Sequence, residues 1–151
     1  MISKEKSKTM VANTERERID RNVLIWLNKF PDRSIGTITT ETQLKADESG
    51  MALSAITSAY AVSRYIVGGY LAEYQFKVIY RIKPGNSMDK SLLADELLNK
   101  LGEWSMCNPP DLGEGIHVQR VEPTSQAELL AIYENGDEDH QILMKITYEV
   151  L

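Results

Sequence analysis

Alternation of apolar and polar residues is sharpest between Tyr70 and Lys83. Tyr70, Ala72, Tyr74, Phe76, Val78, Tyr80 and Ile82 fall on one side of an extended chain, and Glu73, Gln75, Lys77, Arg81 and Lys83 on the other. A period of two is the mark of a strand with one face buried. Burial of Phe76, Val78 and Ile82 contributes about 1.5–3 kcal/mol each before entropy is subtracted. The polar side also holds Leu71 and Ile79, apolar groups that fit either a solvated face or a contact made in an assembly. Gly68-Gly69, just upstream, predicts a tight two-residue hairpin turn, because both positions tolerate positive φ. The last strand repeats the pattern: Ile142, Met144, Ile146, Tyr148 and Val150 share one face of a segment predicted over Gln141 to Val150.

Helical spacing appears twice. Ile19, Val23, Leu24, Leu27 and Phe30 recur at intervals of three and four, with Trp26 widening the stripe and Pro31 as a stop. Thr14 and Glu17 match a capping box at the start of that helix. Leu93, Leu97, Leu101 and Trp104 predict a second helix from about Ser87 to Met106 that covers the sheet. Between the helices, the Thr- and Ile-rich run from Ile35 to Leu44 (Ile35, Thr37, Ile38, Thr39, Thr40, Thr42) suits a strand, and Lys45 to Gly50 a loop. Met51 to Val67 is ambiguous: Ala52, Ile56, Ala59 and Tyr60 permit a helix, whereas Tyr60, Val62, Arg64 and Ile66 alternate, which favours a strand in the second half. Ile116, Val118 and Val121 predict a short strand ended by Pro123, and Ala127 to Tyr133 another, joined to the last by the acidic turn Asn135-Gly136-Asp137-Glu138-Asp139. The expectation is an α+β fold: an antiparallel or mixed sheet of four to five strands against two helices, in the order α-β-β-β-α-β-β with a further strand allowed at the end. Met1 to Asn13, lysine-bearing and without apolar periodicity, reads as a flexible arm before a single domain at 14–151.

Composition narrows the classes. The chain has 151 residues, enough for one core, and 42% apolar with 26% charged residues is ordinary for a globular protein. A formal net charge of −5 opposes adhesion to nucleic acid and anionic lipid. No apolar run reaches the length of a membrane span, and the start of the chain is too polar for a signal-peptide core. With a single cysteine, Cys107, no internal disulfide forms; Cys107 reads as a small buried or half-buried apolar residue, since His117 and His140 are the only histidines and neither stands in a nucleophile signature.

The chain lacks a Walker loop, a dinucleotide glycine fingerprint and a Gly-x-Ser-x-Gly elbow. Asp137, Glu138, Asp139 and His140 offer oxygen and imidazole donors to a metal, but an Asn-Gly hairpin tip favours acidic residues for backbone reasons and no calcium-loop spacing surrounds them. The seven tyrosines, Tyr60, Tyr65, Tyr70, Tyr74, Tyr80, Tyr133 and Tyr148, fall largely at inward positions, which points to packing in a core or interface over stacking on nucleic acid bases. Nothing calls for a catalytic residue, metal or cofactor, and the expected class is a structural protein, not an enzyme.

Tyr65-Ile66-Val67-Gly68-Gly69-Tyr70, then Tyr74-Gln75-Phe76 and the closing strand from Gln141 to Glu149, resemble the small tail-terminator or minor capsid proteins of long-tailed bacteriophages and prophages. The resemblance extends as an order of elements from Ile19 to Leu151, and its distinctive positions are Tyr65, Gly68, Gly69, Tyr70, Tyr74 and Phe76. It implies a virion protein of the tail and neck, assembled in the host bacterial cytoplasm. Such a subunit forms a homo-oligomeric ring, commonly a hexamer, that caps the tail tube protein, stops its polymerisation and presents a surface to the head-completion or connector protein. DNA passes through the lumen without sequence-specific binding, and no membrane or cofactor is involved.

On that reading Leu71, Lys77, Ile79, Arg81 and Lys83 are candidate subunit or tube contacts, because they set apolar beside basic groups. The polar tips at Lys45 to Gly50 and at Asp137, Glu138 and Asp139 are the next candidates for reaching a neighbour. Two alternatives stand beside the terminator: a head-completion or neck connector subunit, and a small ligand-binding α+β domain that uses the cleft between helix and sheet.

Overall fold

A computed structural model describes residues 18–32, 36–40, 44, 49–56, 60–64, 68–85 and 87–151, with the backbone alone described at 60–64. The arm expected over Met1 to Asn13, the Thr14–Glu17 capping box, Ile35, Thr42, most of the loop at 45–50 and Tyr65, Ile66 and Val67 lie outside the described residues.

Two strands organise the fold. Strand β4 (Tyr70–Ile82) and strand β7 (Glu138–Val150) run antiparallel in unbroken register from Tyr70↔Val150 to Ile82↔Glu138, which is 13 residues on each strand. Their alternation makes one continuous apolar face, with Ala72, Tyr74, Phe76, Val78, Ile142, Met144, Ile146 and Tyr148 all buried. Short strands flank this ribbon in pairs. On the β4 side lie β2 (Gly50–Ala55) against residues 76–81 and β3 (Tyr60–Arg64) against residues 70–73. On the β7 side lie β5 (Ile116–Pro123) against residues 144–150 and β6 (Glu128–Ile132) against residues 138–141. β1 (Thr39–Thr40) pairs parallel to β2, so the sheet is mixed, with seven strands among the described residues. The α+β class is as expected; the sheet exceeds four to five strands because each side of the ribbon takes two short strands end to end.

Both helices cover the apolar face. Helix α1, described over residues 18–27, contributes Ile19, Val23, Trp26 and Leu27 to the same core as Leu98 and Leu101 of helix α2 (Met88–Cys107). The helix ends as its sequence requires: Asn28 turns its side chain back to Leu24 O and also brackets Ile38, accepting from Ile38 N at 2.8 Å and donating to Ile38 O at 3.0 Å. That pairing leads the chain into β1. Ser87 caps α2, accepting from Lys90 N. Trp26 stacks on Trp104 at 5.5 Å and donates its indole N–H to Asn108 O at 2.6 Å, which ties the two helices together.

The buried stripe of α2 is turned from the expected one. Leu93 is exposed, Leu97 and Trp104 are half-buried, and the face on the sheet is Ala94, Leu98, Leu101, Gly102 and Ser105. Small residues decide this orientation. A Cβ at Gly102 would lie 3.0 Å from Cδ1 of Ile142 and 3.2 Å from Pro123, so the helix approaches the sheet where its side chains are smallest.

Met51 to Ala55, where the sequence fits either helix or strand, is strand: Met51, Ala52 and Leu53 are all buried, and a strand covered on both faces has no alternation to display. Among the described residues of the Thr-rich run, Thr39 and Thr40 form the strand. Gly68 and Gly69 do adopt positive φ, of 94° and 81°, but the register Arg64↔Tyr70 places five residues between the paired ends, so the loop is longer than a two-residue turn.

The two glycines differ in what surrounds them. A Cβ at Gly69 would sit 2.4 Å from Val150 O, whereas one at Gly68 would meet nothing within 4 Å. Gly68→Ala is expected to lower stability by about 1–2 kcal/mol from backbone strain alone, and Gly69→Ala by clearly more because the β7 backbone must also move. Denaturant unfolding of both variants checks this; equal losses would contradict the close approach.

Candidate functional site

Polar groups gather at the β6–β7 hairpin, and strand alternation sorts them onto two faces. Tyr133 N donates to Asp137 O at 2.8 Å and Gly136 N to Tyr133 O at 2.9 Å, which closes the turn at residues 133–137; β7 starts at Glu138. The acidic tip is therefore shorter than expected. Asp137 and Asp139 are buried, and Glu138 is half-buried, so these three are not solvated groups reaching outward. Alternation also parts three of the four candidate metal donors: Glu138 and His140 face the helices, and Asp139 faces the other way, with Asp137 in the turn before β7. Among the described residues no three His, Cys, Asp or Glu side chains converge to hold a metal ion.

On the helix side His140, 2% exposed, lies between two carboxylates. Its Nδ1 is 2.7 Å from Oδ1 of Asp95 on α2, and its Nε2 is 2.9 Å from Oε1 of Glu138. Ser91, one turn before Asp95, donates its hydroxyl to the same Glu138 oxygen at 2.6 Å. That hydrogen bond from Ser91, with His140 adding to it against the cost of burial, holds the Glu138 carboxyl below its ordinary range. The order of contacts is serine, carboxylate, imidazole, carboxylate. The Ser91 hydroxyl therefore lacks the imidazole acceptor that nucleophile activation needs, and the cluster serves to fasten α2 to β7.

On the opposite face Arg81 forms a two-pronged pair with Asp139, Nε to Oδ1 at 2.7 Å and Nη2 to Oδ2 at 2.9 Å. The Tyr133 hydroxyl donates to Oδ2 of Asp139 at 2.6 Å, and the guanidinium lies 5.0 Å from the centre of the Tyr133 ring. Burial pushes the Asp139 carboxyl up, but the bonds from Arg81 and Tyr133 outweigh it and the group is held below its ordinary range. The Asp139 bond chiefly, with burial adding, pushes the Tyr133 hydroxyl up. Farther along this face Lys145 sits 3.6 Å from Glu73 and 3.5 Å from Glu122, joining β4, β7 and β5.

The candidate contact residues on β4 are thus divided. Lys83 is exposed, Leu71 and Lys77 are half-buried, Arg81 is held by Asp139, and Ile79 is buried beside its register partner Ala52, itself buried. Of the motif residues, Tyr74 donates its hydroxyl to Asp20 of α1 and Phe76 lies beside it in the core, so both act in packing. Cys107 is exposed at the end of α2, contrary to the expectation of a buried or half-buried residue. A cleft of about 430 Å³ between α2 and β4 is bordered by Asp32, Tyr80, Lys83, Lys90, Leu93 and Lys100. Burial first, then the nearby Asp32 charge, raises the Tyr80 hydroxyl there.

The surface that sequence reading missed is β6 with the adjoining flank of α2. Leu129, Leu130, Ile132 and Tyr133 are exposed, as are Met88 and Leu92. The signal was present in Glu-Leu-Leu-Ala-Ile, whose large apolar residues exceed what a strand with one buried face requires. No family model and no curated protein matches this chain. No helix among the described residues is long and apolar enough to cross a membrane.

The Arg81–Asp139 pair yields a signed pH dependence. A carboxyl whose folded pKa is depressed stabilises the fold above its unfolded value, near 4, and that stability is lost as pH falls through the folded value. Asp139 and Glu138 both belong to this class. Arg81→Ala removes the countercharge of a buried carboxylate and is expected to cost about 3–5 kcal/mol at neutral pH, whereas Asp139→Asn flattens the loss of stability below pH 4. Urea unfolding across pH 2–7 measures both; an acid limb unchanged in Asp139→Asn would contradict the assignment.

Proposed function

We propose that this protein is a structural subunit of a phage virion, a tail terminator that assembles into a ring on the tail tube, ends its growth and offers the joining surface to the head connector. The observation that supports this best is the contrast between its two kinds of surface. Ser91, His140, Asp95, Glu138, Arg81 and Asp139, the groups with chemical potential, are engaged by one another at 2.6–2.9 Å. Large apolar residues on β6 and α2 stay exposed instead. Exposed contiguous apolar surface beside an open strand edge is a docking feature. The repeated use of one heterologous contact about an axis closes a ring. The order of elements is the one expected from the sequence pattern, with an added strand before α2.

The connector reading shares the ring and differs in the partner. The ligand-binding reading draws on the cleft between α2 and β4. Native mass spectrometry separates ring from monomer, and a solitary chain with a retained small molecule would favour the cleft. Tail tubes polymerising in the presence of the protein are expected to stop at a defined length with a cap at one end. Tubes that lengthen unchecked would overturn the terminator role, and binding to the portal side alone would assign the connector role.

A further inference from the structure

We infer that the free edge of β6 accepts an additional β-strand from another protein, an extended segment with alternating apolar residues and lysine or arginine between them. The inference deepens the assembly reading by assigning the β6 edge to a different protein, with the contact between copies made elsewhere, and rests on that reading only for where the partner comes from.

β6 pairs with β7 along one side alone among the described residues, which leaves its other backbone edge open. Its side chains give that edge a floor. Leu129 and Ile132 are register partners of His140 and Glu138, whose side chains bond to Asp95 and Ser91 of α2. Cross-strand partners share a face, so Leu129 and Ile132 project towards the α2 side of the sheet. Met88 and Leu92 lie one turn apart on the α2 flank that carries Asp95 and so borders β6. Ile132 is 64% exposed, Met88 77% and Leu92 55%, so a strand laid along β6 would find an apolar wall from the helix and an apolar floor from the sheet.

Charge selects the occupant. From Val121 to Met144 the chain holds six acidic residues, Glu122, Glu128, Glu134, Asp137, Glu138 and Asp139, and neither lysine nor arginine. Glu128 at the start of β6, which accepts from Gln141 Nε2 at 3.1 Å, and Glu134, two residues past its end, stand exposed with no ion pair among the described residues. Two β6 edges from identical copies would bring these carboxylates together, whereas a basic strand sets its cations against them. The bulge between Leu129 and Ala131 twists the edge without covering it.

The probe is an acetylated nonapeptide alternating valine with lysine or threonine (Lys-Val-Thr-Val-Lys-Val-Thr-Val-Lys), titrated into the isotope-labelled full chain, with an analogue carrying proline at its centre as control. Expected are saturable amide shifts confined to β6 and the α2 flank, slowed hydrogen exchange at the β6 amides that do not bond β7, and loss of binding for the proline analogue. Leu129→Lys/Ile132→Lys, at exposed positions that leave the fold intact, is expected to weaken binding by about tenfold or more. Unchanged β6 exchange at saturating peptide, or shifts confined to another edge, would overturn the inference. Homo-association of the unliganded chain that Ile132→Lys abolishes would also overturn it, assigning the edge to a second copy. Tube capping is read separately, so its failure leaves the peptide result standing and the reverse.

Discussion

The long antiparallel pairing of β4 with β7 is the constraint from which the rest follows. Thirteen residues on each strand remain in one register, so side-chain direction is fixed along the whole length. A slip of β7 by one residue would turn Ile142, Met144 and Ile146 towards the outer face and bring Lys145 under the helices, while Tyr74 and Phe76 stayed inward. The apolar face is large enough to hold both helices, and α2 settles where Ala94, Gly102 and Ser105 permit the nearest approach. Each flank of the ribbon is then long enough for two short strands.

The same pairing distributes the polar chemistry. Consecutive residues Glu138, Asp139 and His140 look like one cluster in the sequence, yet the ribbon sends them to alternate faces. Glu138 and His140 meet Ser91 and Asp95 and join the sheet to α2, while Asp139 meets Arg81 and Tyr133 and fixes the start of the β6–β7 hairpin. Buried charge is costly unless paired, and here each such carboxylate has its donors. With these groups engaged, the exposed part of the hairpin sets Leu129, Leu130, Ile132 and Tyr133 between Glu128 and Glu134. Binding through surfaces, with the fold as a rigid support, is the reading that this division favours.

Elements with one buried face were legible in the sequence. Tyr70–Ile82 and the closing strand declared themselves by alternation, and both helices by their spacing. Where a segment is buried on both sides, as at Met51–Ala52–Leu53, the period vanishes and strand cannot be told from helix. The facing of α2 was misjudged because leucine spacing alone ignores how close a glycine allows a helix to come. The polar clusters were illegible for a different reason: Arg81 and Asp139 are 58 residues apart, and His140 and Asp95 are 45 apart, so only the folded register brings them together. Asn-Gly in the acidic turn points to an outward polar tip, whereas the donors to Asp139 are Arg81 on β4 and Tyr133 before the turn. The apolar surplus of β6 could have been noticed, since Leu129, Leu130 and Ile132 exceed one face.

If the β4–β7 ribbon supports every other element, it must be the last part of the chain to open. Native-state amide hydrogen exchange on the intact protein tests this directly. The account predicts that amides at the centres of β4 and β7 exchange together, at the rate of global unfolding, after those of β1, β6 and the ends of the helices have exchanged. Separate exchange of β4 and β7, or protection at β6 equal to that of the ribbon in the isolated chain, would contradict it.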